Sequence, residues 1–489
     1  MENKHIKEDI ETENTDYKDI AKKIAEQSQI KNDQYQAHET SDKIDRVLAH
    51  PVFGLLIFAL IMWGVFALSQ NLIGPWVAGL LQQGMGAIAG WIETLLVNSG
   101  VNNGLISFVL EGVIGGFSAV VGFLPLIMVL FFFLNLMEDS GYMARVALLL
   151  DRYFKKIGLA GKSIIPMYVG TACSVPAVMS ARTIKNKRQR RMTILLTPFI
   201  PCGAKLPIIA MFLGVVFTKG SSWFTAIVYL FAILIIFLTG LLLKALLNVN
   251  YDDAEDTYFL VELPEYKIPS VKAAALYMLD SAWAFVKKAG TIIVLANGLV
   301  WILVTFDWSF TMVEPSLSIL ASISSPVAWL LSPIGIATWG LAAAAVLGFI
   351  AKEEVVGALA VIFVFTVTDD FEIESIAATR DALMAGAQLT SVSAIAYMVF
   401  NLFTPPCFAT IGAMNTELEN RWWTVFGVGL QLVIGFMSAL IVYQIGTLIV
   451  FGEVGMAFIP AVIIVIVFTV IVIYLSRQAK LGKGLAKLD

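Results

Sequence analysis

Histidine is almost missing from this chain: the three present, His5, His38 and His50, all precede the first long apolar run. No imidazole can therefore ligate a metal or relay a proton inside the apolar part, where the remaining donors are Cys, Met, Asp, Glu and backbone oxygen. Cysteine is nearly as scarce. Three residues, an odd number and all within apolar stretches, argue against a disulfide framework. Charge is thin as well: Asp, Glu, Lys and Arg make up 14% of the chain against 58% hydrophobic residues, with a mean hydropathy of +0.80. That excludes a soluble globule and indicates a polytopic membrane protein. The net charge of −4 gives no basic surface for nucleic acid. A nucleotide loop is missing too, because GLAGKS at 158–163 ends like one but has Lys156 where the first glycine belongs. With no catalytic constellation either, the sequence reads as a transporter and not an enzyme.

What is there is a series of apolar segments. Residues 1–47 are polar, contain no secretory signal and read as a cytoplasmic tail, with YKDIAKKIAEQ (Tyr17–Gln27) spaced for a short surface helix. Full crossings are expected at 52–68, 108–137, 192–216, 223–246, 289–306, 325–350, 424–451 and 456–476. Residues 72–97 are apolar but interrupted by Gly79, Gln82, Gln83, Gly84, Gly86 and Gly90, and read as an interfacial segment. The expected fold is thus all-α, with about eight transmembrane helices plus broken or re-entrant segments and two internal repeats. Its expected divisions are 1–47 (tail), 48–110 (first span and interfacial segment), 111–250 (first repeat), 251–335 (connector and middle spans), 336–452 (second repeat) and 453–489 (last span and basic tail). Lys162 and six Lys or Arg residues at 182–191 place both ends of 163–181 in the cytoplasm, so that stretch should enter and return. The basic run is read as a topology determinant facing lipid headgroups, with partner docking as the alternative.

The most informative stretch is Ser163–Val216. It is apolar, yet it carries Pro166, Gly170, Pro176, Pro198, Pro201, Gly203 and Pro207, with Cys173 and Cys202 beside the interruptions. A broken helix survives in a bilayer only where protein or a water-filled cavity supplies its freed backbone groups, and such breaks point to a transporter's binding site. The second half repeats the theme. There FIAKEEVVGAL places Lys352, Glu353 and Glu354 inside an apolar run, and TPPCFATI places Cys407 after Pro405 and Pro406. Each cysteine taken singly is a small buried hydrophobe. Taken as a set beside proline breaks, Cys173, Cys202 and Cys407 read as soft ligands along a metal path. Glu138 and Asp139 either reach headgroups at a span end or, with Lys352, Glu353 and Glu354, attract cations or gate their passage.

Together EDSGYMARVALLLDR, GKSIIP, CSVPAVMSART, PCGAKLP, FIAKEEVVGAL and TPPCFATI resemble the membrane part of the ferrous iron transport protein B (FeoB) family. The resemblance covers roughly 42–476, including DKIDRVLAHPVFG and VELPEYKIP. It implies two Gate-type (nucleoside-recognition) repeats and uptake of Fe(II), as cargo and not as a resident cofactor, across the bacterial cytoplasmic membrane with both termini inside. It also puts the family's candidate pore cysteines on Cys173, Cys202 and Cys407. The family carries a GTPase domain ahead of its membrane part. The 47 polar residues at that place imply either a GTPase on a separate polypeptide or operation without one, with a small accessory protein and a homo-oligomer as further expected partners besides lipid. Alternatives are a Gate-type carrier of Mn(II) or nucleosides, and a regulatory membrane scaffold.

Overall fold

The computed structural model describes residues 53–142, 158–217 apart from 160, 221–247, 266–287, 291–352 and 389–452, with single positions elsewhere, among them Asp45, Arg145 and Val355. The tail helix at 17–27, the span at 456–476, Glu353 and Glu354 lie outside the described residues. Within them every regular element is helical, beside one isolated antiparallel bridge between Phe306 and Met312. The helices used below are α1 (Phe53–Ala67), α2 (Ile73–Asn98), α3 (Gly115–Asp139), α4 (Ile164–Ala172), α5 (Ser174–Ser180), α6 (Lys187–Leu196), α7 (Leu206–Val216), α8 (Ser221–Leu247), α9 (Val271–Phe285), α10 (Thr291–Thr305), α11 (Ile319–Leu331), α12 (Trp339–Leu347), α13 (Ser391–Phe403), α14 (Phe408–Glu417) and α15 (Arg421–Phe451). Their starts follow local chemistry: Asn186, Ser270, Ser318, Thr390 and Asn420 each place a side-chain oxygen on a first-turn N–H.

Five helical stretches among the described residues are long and apolar enough to cross a membrane: Gly104–Asp139, Lys187–Gly214, Phe224–Leu247, Ser391–Glu417 and Arg421–Phe451. The protein is an all-α polytopic membrane protein. Burial sorts these stretches into two kinds. The proline-broken Lys187–Gly214 and Ser391–Glu417 have 67% and 72% of their apolar windows inside the protein, whereas Gly104–Asp139 and Phe224–Leu247 have only 23% and 28%. Broken spans occupy the middle and intact ones face lipid, as the cost of unpaired backbone in hydrocarbon requires. The central pair interlocks through Phe212 against Tyr397 and Phe199 against Phe403, with centroids 5.1 and 6.5 Å apart.

The structure adds detail to the sequence reading in four places. Residues 325–350 are not one straight helix. α11 with its short continuation to Ile334 meets α12 at 98°, because Gly335 turns the chain at φ +80° in a spot where a Cβ would lie 2.3 Å from the Tyr443 ring. Counted as one span, this pair would raise the five to six. Residues 72–97 form one continuous helix, α2, along α3, since helical glycine costs about 1 kcal/mol but does not interrupt the hydrogen-bond ladder. The described parts of the crossings expected at 52–68 and 289–306 are α1, which continues directly into residues 68–98, and α10, each 15 residues long. Conversely 391–417, read from sequence only as a broken cysteine segment, has the length and apolarity of a span.

Basic residues gather at one end. Arg182 Nε donates to Glu417 Oε1 at 2.7 Å, and Arg190 pairs with Glu419 at 3.3 Å. The stretch Lys187–Gly214 therefore begins at the end where Ser391–Glu417 finishes. The two elements share a helix–break–helix plan and run antiparallel to one another. Gly435 of α15 lets this assembly close, because a Cβ there would lie 2.8 Å from Thr404 N and 3.1 Å from the Phe403 carbonyl carbon. Replacing Gly435 with Ala should lower the melting temperature in detergent, while Gly429→Ala on the same helix, with nothing within 4 Å, should not. Equal melting temperatures would remove the claim that backbone contact at Gly435 sets the packing.

Candidate functional site

The site is built from the two central breaks. In a helix the N–H of residue 406 would bond Leu402 O and that of 405 would bond Asn401 O, but both positions are proline. The freed carbonyls are not left bare. Lys205 Nζ donates to Leu402 O at 2.6 Å and to Pro198 O at 2.8 Å, and the Thr404 hydroxyl donates to Asn401 O at 3.4 Å. Thr404 Oγ1 in turn accepts from Lys352 Nζ at 3.1 Å, and Ile350 O accepts the Phe408 N–H at 3.2 Å. One break from the first half of the chain and two from the second are thus laced together. Lys205 and Lys352 are both 1% exposed, and among the described residues neither has a carboxylate partner.

Cys202 and Cys407 lie at these breaks. Cys202 is buried in extended backbone (φ −92°, ψ 170°) just before Gly203–Lys205, and Cys407 caps α14 with its Sγ 3.2 Å from Thr410 Oγ1. Each lysine is near enough to both thiols to interact with them electrostatically. Cys173 joins α4 to α5 in extended conformation, one element away. The two breaks approach through Gly170, where a Cβ would lie 3.2 Å from Thr197 and 3.3 Å from Ile200. Among the described residues no three of His, Cys, Asp and Glu come together as a closed metal cage.

Several residues singled out from the sequence sit elsewhere. Glu138 and Asp139 are exposed at the C-terminal end of α3. Pro166, Pro176 and Pro207 stand in the first turns of α4, α5 and α7, where an N–H has no intrahelical partner to lose, so the chain is interrupted just ahead of Pro176, at Cys173, and ahead of Pro207. Gly170 lies within α4. Further interruptions are at Pro201, Pro405 and Pro406, with Gly203 opening the short turn that follows the first of these. Sequence reasoning missed Lys205 and Thr404. The available signal for the first was a lone lysine inside the apolar stretch between Gly203 and Pro207.

A second polar cluster ties down the end of the molecule that bears the basic residues. Arg145, buried, donates from Nε to Asp45 Oδ1 at 2.7 Å and from a terminal nitrogen to Gly141 O at 2.9 Å, with its guanidinium 3.7 Å from the Tyr266 ring centroid. The Tyr266 hydroxyl donates to Asp45 Oδ1 at 2.6 Å. Segments 100 and 221 residues apart thereby meet in one clamp.

Comparison with known proteins bears on the same regions. The family model for nucleoside recognition (Gate) matches residues 120–216 and 286–421, and that for the ferrous iron transport protein B C terminus matches 225–280. Both Gate matches end on a cysteine-broken span. An Fe(2+) transporter FeoB of Staphylococcus aureus is 36% identical over 414 residues, 84% of this chain and 60% of that protein. One from Helicobacter pylori is 32% identical over 467 residues, 88% of this chain and 70% of the relative. A Porphyromonas gingivalis protein described as a fusion of Fe(2+) transport protein A and Fe(2+) transporter FeoB is 31% identical over 452 residues, covering 84% and 52%. The chain spans about 60% of the length of the first of these relatives. No solved structure matches.

The clamp carries a pH prediction. Partial burial acts to raise the Asp45 carboxyl, but hydrogen bonds from Arg145 and Tyr266 and the charge of Arg145 outweigh it and hold the group below the usual carboxylate range. A depressed folded value means stability that is present above the unfolded value near 3.8 and lost as pH falls through the folded one. Asp45→Asn should destabilise by about 2 kcal/mol at pH 7, and its deficit against the parent should shrink only below about pH 4. Melting curves from pH 8 to 3 in detergent check this; a deficit absent at pH 7 would show that the clamp contributes nothing.

Proposed function

The chain belongs to the FeoB family of Fe(2+) transporters, and on that premise we propose that it carries Fe(II) through the membrane along a path that includes Cys202 and Cys407, with Cys173 at one approach. The observation that carries the reading is the meeting of two cysteine-bearing breaks in the most buried part of the bundle, with carbonyl oxygens freed by proline beside them. Thiols suit Fe(II) better than Mg(II) or Ca(II), and a pair of thiols with oxygens binds less tightly than a four-cysteine cage, which lets an ion leave. Glu353 and Glu354 are assigned cation attraction, and Glu138 and Asp139, exposed at a helix end, the same at a distance. The antiparallel relation of the two broken spans supports a pair of inverted repeats, whose site would lie near the bilayer midplane.

The basic cluster marks the cytoplasmic end, in a bacterial cytoplasmic membrane with both termini inside. Fe(II) entering at 100 mV gains roughly 4.6 kcal/mol from its two charges. A separate GTPase acting through the tail and the Asp45 clamp, with a small accessory protein of the kind fused in the Porphyromonas gingivalis relative, would regulate that flux. The Gate match also suggests a nucleoside carrier, and transport tests separate the two.

In proteoliposomes the full chain should accumulate radioactive iron supplied as Fe(II) with reductant. Serine at Cys202 or Cys407 should reduce the rate by on the order of tenfold, and serine at Cys173 by less. Uptake unchanged in the triple serine variant would eliminate the thiol path, and uptake of nucleoside in place of iron would favour the other reading. For sidedness, cysteines introduced at Lys185 and Val313 in that triple variant should differ: an impermeant maleimide added to intact cells should label position 313 only. Labelling of position 185 would invert the arrangement.

A further inference from the structure

Two lysine Nζ atoms stand where a passing cation would need oxygen. Lys205 Nζ takes up Pro198 O and Leu402 O, one carbonyl from each broken span, and Lys352 Nζ takes up Thr404 Oγ1, the hydroxyl that serves the next freed carbonyl. We propose that Lys205, seconded by Lys352, is a tethered cation that keeps the path closed by holding the oxygen atoms a divalent ion would use between Cys202 and Cys407. This rests on the transport reading above and adds its gate.

Hydrogen bonding alone does not call for charge at these positions. A neutral amide or hydroxyl would satisfy the same carbonyls at lower desolvation cost than two side chains able to carry charge. What a protonated lysine adds is repulsion of any cation approaching the breaks, and competition for its ligands. The surroundings also hold unused polar atoms. Asn401 Oδ1 is buried without a hydrogen-bond partner one turn before Pro405. Both amide atoms of Gln431, 1% exposed, are likewise unpartnered. Gln431 lies on α15 between Gly427, which faces Leu195 and Met414, and Gly435, which faces Thr404. Buried polar atoms left unpaired are costly. Here Asn401 Oδ1 and Gln431 Oε1 are oxygen atoms open to a cation once a lysine withdraws.

The test compares Lys205→Gln, which keeps an N–H donor and loses the charge, with Lys205→Arg, which keeps the charge, and with Lys352→Met. Each is reconstituted as the full chain, and concentration dependence of Fe(II), Mn(II) and Mg(II) uptake is measured at matched amounts of folded protein. The gate predicts that Lys205→Gln and Lys352→Met lower the KM for iron by on the order of tenfold and admit Mg(II), while Lys205→Arg behaves as the parent. A parent that carries iron, with Lys205→Gln matching it in KM and ion selectivity, overturns the gate and leaves the ferrous reading standing. A parent that passes no iron while Lys205→Gln passes divalent ions upholds the gate and sinks the ferrous reading. No divalent flux through either protein overturns both.

Discussion

The structure depends on the bond between the Lys205 ammonium and the carbonyls of Pro198 and Leu402. A bilayer offers no water to a carbonyl whose helical partner has become proline, so each break must find a donor inside the protein or not form. Lys205 supplies donors to two carbonyls at the breaks at once, Leu402 O, whose helical partner is Pro406, and Pro198 O in the other central span. Thr404 supplies a third, and is itself engaged by Lys352. Remove these donors and the breaks lose the partners that make them tolerable in the membrane interior.

From that constraint the arrangement of the remaining helices follows. Because the broken spans must be surrounded by protein, they take the middle, and the unbroken Gly104–Asp139 and Phe224–Leu247 take the lipid-facing positions with most of their surface exposed. α15 closes the centre, and it comes near enough only because Gly435 has no side chain to strike the Thr404 backbone. The ion pairs of Arg182 with Glu417 and Arg190 with Glu419 hold the outer ends of the same two spans, so these are fixed both at their breaks and at one terminus. Part of the basic run thus faces the protein itself, and Arg191 stacks over Trp423, 5.1 Å from its centroid.

The Asp45 clamp sits at that same end but involves none of the central spans. It joins the segment ahead of α1, the chain just after α3 and the connector ahead of α9. A buried guanidinium tolerates loss of its counter-charge poorly, so the clamp ties Asp45 firmly to the chain after α3.

The sequence by itself determined the class of molecule, because hydropathy, scarce charge and the lack of histidine within the apolar segments allow little besides a helical membrane protein without imidazole chemistry there. It also determined where the breaks would be sought, since Pro201, Pro405 and Pro406 cannot donate wherever they are placed. It could not say which prolines break and which begin a helix, because Pro166, Pro176 and Pro207 carry the same covalent defect and differ only in standing within a first turn. The bend at Gly335 and the continuity of α2 were likewise hidden, as glycine permits either outcome and packing decides. Most of all, the role of Lys205 was a matter for the tertiary structure alone. Its partners lie seven and 197 residues away, and only the fold brings a carbonyl of one half of the chain to an ammonium of the other.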